Sequence, residues 1–166
     1  MGMLRTIRHL FSTHTRTRRL FPAAVLESIE RAIAAAEART SGEVRFVVET
    51  ALDLHEVWVD MAPRERAVHA FSGLHMWNTE LRNGVLIYVL LADRDVEIIA
   101  DRGANERIAQ ADWEGVCRVM EGHFRAGRFA EGSVAGVGAV GDLLARHFPP
   151  QAGSNRDELP NQPALL

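Results

Sequence analysis

Asn83-Gly84 opens the longest apolar run of the chain, which continues from Val85 to Ala92 as Val-Leu-Ile-Tyr-Val-Leu-Leu-Ala. A run of this length without polar residues predicts a strand that is buried on both faces of a sheet. Asp93-Arg94 then supplies a polar turn, and the apolar positions within residues 96–101 predict an antiparallel return strand. The central part of the chain therefore predicts a β-hairpin.

The residues before this hairpin predict a helix, a strand and a second helix. Residues 22–39 start at a proline and repeat apolar residues at helical spacing, and residues 43–49 are rich in β-branched and aromatic side chains. Helical spacing returns over residues 63–77. A strand, a helix and a strand in this order predict a parallel pair with a right-handed crossover. Such a sheet requires helices on both faces.

Two further helices are predicted after the hairpin, because apolar residues recur on one stripe in each of two segments. The stripes consist of Trp113, Val116, Cys117, Met120 and Phe124, and of Val134, Val137, Val140 and Leu144. Residues 149–166 contain four of the six prolines and no apolar periodicity, which predicts a flexible C-terminal tail. The predicted domain therefore spans residues 22–148, after a basic N-terminal segment at residues 1–21.

The composition of the 166 residues excludes several classes of protein. Apolar residues make up 47% and charged residues 25%, as in a soluble globular domain rather than a disordered chain or a polytopic membrane protein. A net charge of -3 argues against a dedicated nucleic-acid-binding protein. The chain contains no lysine, which excludes Schiff-base chemistry and a P-loop. Cys117 is the only cysteine, so the chain forms no intramolecular disulfide, and a cytoplasmic location is expected.

The N-terminal segment, residues 1–21, is basic and has no acidic residue. Its apolar residues do not form the core of a secretory signal, and three interpretations remain. The segment is a solvated tail, an organellar transit peptide, or a short amphipathic helix that rests on anionic lipid. The helix would use Leu4, Ile7, Leu10 and Phe11. The expected partner is therefore a membrane surface or an unidentified protein, and not a nucleic acid.

Two motifs that suggest chemistry have simpler explanations. Gly136 to Gly141 matches G-x-G-x-x-G, but no strand precedes it, so the glycines are better explained by close helix packing than by a dinucleotide. Cys117 lies on an apolar stripe, which predicts a buried and unreactive thiol. No cofactor or catalytic nucleophile is predicted from either.

Acidic residues near the hairpin are the remaining candidates. Asp93 and Asp95 belong to the turn and are expected to be solvated, whereas Asp101 ends the return strand and faces the Asn83-Gly84 region or the next helix. Carboxylates that converge with main-chain carbonyls suit Ca²⁺ or Mg²⁺. Asp112 is the second candidate ligand, although the N-cap of a helix that begins at Trp113 explains it better.

Taken together, the order of elements and two motifs resemble the TPM domain family, which includes thylakoid acid phosphatase-like proteins and many bacterial proteins. The motifs are W-N-T-E-x-x-N-G-V-L-I at Trp77–Ile87 and Phe124–Phe129 followed by small residues. The resemblance covers residues 22–148. It implies a three-layer α/β/α sandwich with a small mixed sheet and, in some members, divalent-metal binding or phosphatase activity.

The chain departs from the family pattern where function would reside, and it is expected to be a divergent, short and soluble member. The acidic residue near the start of the family domain is absent from Arg19–Ala23, and the usual glycine-rich segment after the hairpin is replaced by Asp101–Glu106. The aspartate that begins the next helix is replaced by Gln110.

Two classes of function follow. The first is a non-catalytic binding or accessory module, peripheral to a membrane through its basic segment. The second is a metal-dependent phosphomonoesterase in which Asp101, with Asp112 or Glu106, holds the metal and Arg102 holds phosphate. The candidate site would also include Asn83, Gly84 and Gly103.

Overall fold

The apolar run forms the central strand β2, Gly84–Leu90, and all of its residues are buried. Strand β1, Glu43–Glu49, pairs parallel with β2, and strand β3, Asp95–Ala100, pairs antiparallel with its other edge. A two-residue strand β4, Ala164–Leu165, pairs parallel with the far edge of β1. The order in the sheet is therefore β3-β2-β1-β4, which confirms the parallel unit and the hairpin.

The computed structural model describes residues 3–150 and 158–166. Within these residues the helices are α1 Met3–Phe11, α2 His14–Leu20, α3 Ala23–Glu37, α4 Leu54–Trp58, α5 Pro63–Gly73, α6 Arg102–Asn105, α7 Gln110–Arg125 and α8 Phe129–His147. No helix in this described part is long and apolar enough to cross a membrane.

Helices cover both faces of the sheet, which confirms the α/β sandwich. Alternate residues of β2 point to opposite faces, as in any strand. Val85 and Ile87 join a core with α3, α7 and α8, whereas Leu86 and Tyr88 join a second core with α4 and α5. Each apolar residue of β2 is therefore buried by one helical layer or the other.

The glycines of the G-x-G-x-x-G motif let α8 approach its neighbours closely. A Cβ atom on Gly136 would lie 2.2 Å from the Met120 sulfur, and one on Gly141 would lie 2.6 Å from the Ala36 Cβ. These glycines therefore serve packing against α7 and α3, as the sequence predicts.

The predicted helix over residues 63–77 is shorter in the structure. Helix α5 ends at Gly73, and His75 adopts a positive φ of 55° that an α-helix cannot accommodate. Met76 lies beyond the end of α5 but is buried in the same core as the apolar residues of that helix. The apolar spacing therefore extends past the helix itself. Periodicity thus marked the burial correctly but placed the end of the helix too late.

The prediction of a flexible tail at residues 149–166 is wrong for residues 158–166. The Leu166 amide donates to the Val48 carbonyl, and the Thr50 amide donates to the Leu166 carbonyl. Leu159 is buried in the core beneath α4 and α5. The free edge of β1 supplies the hydrogen bonds that order this segment. Residues 151–157 of the predicted tail lie outside the described residues.

Residues 3–20 of the basic N-terminal segment form two helices rather than a solvated tail. Helices α1 and α2 lie against the domain, and α1 contacts α4. The Thr17 and Thr50 hydroxyl oxygens are 2.7 Å apart and buried, which ties α2 to the end of β1. The helix of the third interpretation is present as α1, whereas its contact with lipid stays a prediction.

Candidate functional site

Asn83 and Gly84 hold the start of β2 in place. The Asn83 side chain is buried, and its amide Nδ2 donates to the Ser41 carbonyl over 2.8 Å. A Cβ atom on Gly84 would lie 2.4 Å from the Met76 carbonyl oxygen, so only glycine fits there. These two predicted site residues therefore position the start of β2 in the sheet.

Asp101 is brought next to this position, as the sequence suggested. Its main-chain amide donates to the Gly84 carbonyl over 2.9 Å, and its Oδ1 accepts from the Arg102 amide over 2.7 Å, which caps α6. The other oxygen, Oδ2, is buried and has no hydrogen-bond partner among the described residues. A Cβ on Gly103 would lie 2.7 Å from the Leu81 carbonyl oxygen. Asp101, Gly84 and Gly103 therefore form one tightly packed corner.

The remaining predicted residues do not complete this corner. Arg102 and Glu106 are exposed, and Asp112 is exposed in the groove between α7 and α8, beside Asp142 and Arg146. The prediction that Asp112 is an N-cap is wrong, because α7 begins at Gln110. Asp112 instead lies in the first turn of α7, where a negative charge interacts favourably with the helix dipole.

A divalent cation requires several converging oxygen ligands, and Ca²⁺ usually takes about six to eight. Residues 3–150 and 158–166 contain no cluster of three or more His, Cys, Asp or Glu side chains suited to a metal. Asp101 offers one free carboxylate oxygen. The described side chains thus do not fit a preformed metal cage, and no catalytic step is derived from one. Binding of Ca²⁺ or Mg²⁺ at Asp101 and Asp112 stays a prediction.

A polar network that the sequence analysis did not predict lies on the face of the sheet that α4 and α5 cover. The Tyr88 hydroxyl donates to Glu49, and Arg66 donates to the same carboxylate through Nε and Nη2 over 3.1 and 2.8 Å. Burial, followed by the Glu49 hydrogen bond, raises the pKa of Tyr88 above its ordinary value. Tyr88 therefore remains a hydrogen-bond donor. The signal that could have indicated the network is Glu49, a carboxylate that directly follows the apolar residues Phe46–Val48 of β1.

The surroundings of Cys117 also account for the low reactivity of its thiol. Burial, and then the nearby carboxylates of Glu97 and Glu121, raise the pKa of Cys117 to about 12. The thiol therefore stays protonated at neutral pH and is a poor nucleophile.

Asp93 is not a solvated turn residue, contrary to the sequence-based expectation. Its side chain is 9% exposed and accepts from Arg5 Nη2 over 2.8 Å and from His9 Nε2 over 3.1 Å. His9 Nδ1 accepts from the Leu52 amide over 3.0 Å, so Nε2 carries the hydrogen that faces Asp93. These contacts anchor α1 to the β2–β3 turn and to the segment after β1.

The charge of Asp93 is stabilised by this anchor. Burial acts to raise the pKa of Asp93, but the hydrogen bonds from Arg5 and His9 outweigh it and hold the pKa below the ordinary value. The carboxylate is therefore ionised at neutral pH and holds Arg5 in a charged pair.

Because α1 contacts the domain through these polar side chains, its apolar side chains remain in solvent. Leu4 is 75% and Phe11 77% exposed, and Ile7 and Leu10 are also exposed. Helix α4, which contacts α1, leaves Trp58 73% exposed. We call this the α1–α4 surface, and its members are Leu4, Ile7, Leu10, Phe11, Leu54, Trp58 and Val59.

Comparison with known proteins identifies the domain. The structure is similar to the BA42 protein from the psychrophilic bacterium Bizionia argentinensis, solved by NMR, with 34% identity, a TM-score of 0.76 and coverage of 87% of this chain and 94% of that one. It shares its fold with the N-terminal domain of a protein from P. gingivalis, at 21% identity and a TM-score of 0.61 over 80% of this chain and 83% of that one.

No curated protein matches the sequence. The profile of the TPM domain matches residues 15–143, which are most of the chain and include the second N-terminal helix. The chain therefore belongs to the TPM domain family.

Proposed function

We propose that this TPM domain is a non-catalytic binding module that attaches to an anionic membrane through the α1–α4 surface. The observation that carries the proposal is the orientation of α1, whose polar residues Arg5 and His9 bind the domain while Leu4 and Phe11 face solvent. An ordinary surface helix is oriented the opposite way, with its apolar stripe toward the core. The orientation of α1 suits a helix that lies at a membrane interface.

The side chains on and beside this surface match the chemistry of an interface. Trp58 is an exposed aromatic residue of the type that prefers the boundary between lipid and water. Arg8, Arg18 and Arg19 are exposed on α1 and α2. Each arginine near an anionic surface contributes about 1 kcal/mol of attraction. Apolar insertion and electrostatic attraction would therefore act together.

Co-sedimentation of the full chain with vesicles tests the proposal. Vesicles of equal parts phosphatidylglycerol and phosphatidylcholine should sediment the protein, and vesicles of phosphatidylcholine alone should sediment much less. The double variant Leu10→Ser, Phe11→Ser should lose the binding. Trp77→Ser is the matched control, because Trp77 is also exposed but precedes β2, at the opposite end of that strand from Asp93.

Two outcomes would contradict the membrane proposal. The first is equal recovery of the wild type with and without anionic vesicles. The second is equal loss of binding in the α1 variant and in the Trp77 control. Retained solubility together with absent lipid binding would favour a protein partner for the α1–α4 surface.

A metal-dependent phosphomonoesterase is the second candidate, and it is supported by one observation. The buried Asp101 Oδ2 has no hydrogen-bond partner among the described residues, which is unusual for a carboxylate. A bound Ca²⁺ or Mg²⁺ would satisfy that oxygen and supply a Lewis acid, and the exposed Arg102 guanidinium suits a phosphate group.

Titration of the chain with Ca²⁺ and Mg²⁺, followed by backbone amide shifts, tests this candidate. Localised shifts at Asn83 and Asp101 that disappear in Asp101→Asn would support it. Metal-dependent hydrolysis of a phosphomonoester should disappear in the same variant. Uniform small shifts at millimolar metal, or equal hydrolysis by the variant, would rule it out. Asp142→Asn serves as the control for nonspecific loss of a surface carboxylate.

A further inference from the structure

A cavity of about 230 Å³ opens where α2 crosses the ends of the parallel strands. Thr50, which follows β1, and Leu91, which follows β2, line it together with residues of α2 and of the α7–α8 connection. The crevice outside the carboxyl ends of the strands is where open α/β sheets bind ligands. The cavity therefore lies at the expected position for a ligand, away from the Asp101 corner.

The inner part of the cavity is apolar and rigid. Phe124 and Phe129 both line it, and their rings stack with centroids 5.0 Å apart. Phe21, which is buried, packs edge-on against both rings. Leu20 and Val89 add aliphatic lining. Such walls favour an aromatic or other apolar group over water.

The mouth of the cavity is cationic. Arg16 of α2 and Arg94 of the β2–β3 turn both line it, and neither guanidinium has a hydrogen bond or ion pair with any residue in the described ranges. A third guanidinium, that of Arg125, is 3.4 Å from Glu121, which also lines the cavity and offsets one positive charge. Two arginines are thus left for a ligand.

The two free arginines come from distant parts of the chain, and the fold brings them to one cavity. The hydroxyl contact between Thr17 and Thr50 holds α2 over the strand ends. Asp93 anchors α1 beside Arg94. The planar guanidinium group recognises carboxylate or phosphate oxygens through paired hydrogen bonds.

We infer that this cavity binds a small organic anion, a carboxylate or phosphate-type group attached to an apolar body. The charged group would lie between Arg16 and Arg94, and the apolar body would lie against Phe124 and Phe129. The volume is below the roughly 300–1,000 Å³ of pockets for drug-sized ligands, so the body should be about one ring in size. This site requires no membrane and no metal, and it is independent of the function proposed above.

Calorimetric titration of the full chain with benzoate and with phenylphosphonate tests the inference, and the comparison between them distinguishes a carboxylate from a phosphate-type ligand. We expect saturable binding of at least one of them, with affinity at least about tenfold above that of acetate, inorganic phosphate or neutral benzyl alcohol. Arg16→Ala and Arg94→Asn should each weaken binding about tenfold, the usual loss for one hydrogen bond to a charged group.

The control variants remove equivalent charges elsewhere. Asparagine is chosen at position 94 because φ is 57° there, and Arg82→Asn is its match, since Arg82 is exposed and has a φ of 50°. Arg19→Ala is the match for Arg16 within α2. Both controls should bind as the wild type does.

Three results would overturn the inference. They are no saturable binding of either aromatic anion, unchanged affinity in both cavity variants, and equal affinity for aromatic anions and for acetate or phosphate. The last result would reduce the site to a general attraction between surface charges.

Discussion

Helix α8 packs on the sandwich through Val137, Val140 and Leu144, all fully buried, whereas α1 packs on it through the charged and polar side chains of Arg5 and His9. Burial of apolar surface is the dominant stabilising term in folding, so α8 belongs to the core. Ion pairs and hydrogen bonds contribute less net free energy. The domain therefore fixes the orientation of α1, while the apolar side of α1 remains available to another surface.

A substitution in the core helix α8 should change the free energy of unfolding most. Leu144→Ala should lower the free energy of unfolding by about 2–5 kcal/mol, because it removes a fully buried side chain and leaves a cavity. Urea denaturation monitored by circular dichroism measures the change. A loss below about 0.5 kcal/mol, the usual range at exposed surface sites, would show that α8 is not a core element.

The contacts of Asp93 with α1 provide a second test of the difference between α1 and α8. Asp93→Asn should lower the free energy of unfolding by about 1.5–3 kcal/mol, since hydrogen bonds from two partners to a charged and mostly buried carboxylate are weakened. Amide exchange should increase throughout α1 and not in α8. Asp142→Asn, which removes a half-exposed ion pair with Arg39, should cost less than about 1 kcal/mol. Unchanged exchange in α1 would mean that Asp93 is not its anchor.

Asp93 and Asp95 provide a pH test, because their pKa values are displaced in opposite directions. The depressed pKa of Asp93 stabilises the fold above about pH 3.9, the unfolded value, and this contribution is lost as pH falls through the folded pKa. Burial, then Glu97 and Glu121, raise the pKa of Asp95 to about 6. Ionisation of Asp95 therefore costs stability as pH rises from about 4 to 6.

Relative to wild type, Asp95→Asn should become more stable as pH rises from about 4 to 6, by about 1 kcal/mol after allowance for solvent screening. Asp93→Asn should become less stable than wild type as pH rises out of the acid range. Thermal denaturation at a series of pH values measures both differences. Parallel curves for the two variants would contradict the opposite displacement of the pKa values.

A leucine substitution on the exposed side of α1 should change the free energy of unfolding least. Leu10→Ala should change the free energy of unfolding by no more than about 0.5 kcal/mol, because Leu10 is 56% exposed on α1. The same urea experiment as for Leu144→Ala gives a matched pair of leucine substitutions in two helices. A loss above about 2 kcal/mol would show that the apolar side of α1 is covered in solution.

The elements with strong local signals were predictable. The apolar run predicted β2, and the β-branched run predicted β1 at residues 43–49. The apolar stripes predicted α7 and α8. The short helices α4 and α6 were not predicted, because four or five residues contain too little periodicity. Strand β4 was missed for a different reason: Ala164-Leu165 has no signal of its own and is ordered by the edge of β1.

The candidate site was predictable only in part. Asp101 does lie beside the start of β2, since the hairpin pairs Ala100 with Val85 and the register carries Asp101 to Gly84. The capping role of Asp101 and the separate position of Asp112 depend on where α6 and α7 begin. Helix starts are the least certain part of a sequence pattern, because their caps use single side chains.

Apolar periodicity and local turn residues were sufficient to predict the order of the main elements, the burial of β2 on both faces and the family. The orientation of α1 on the domain, and the position of Arg16 and Arg94 on one cavity, depend on tertiary contacts. Arg5 and Asp93 are 88 residues apart, and no local pattern encodes such a pair. Contacts of this kind arise only after the sheet has brought the carboxyl ends of its strands together.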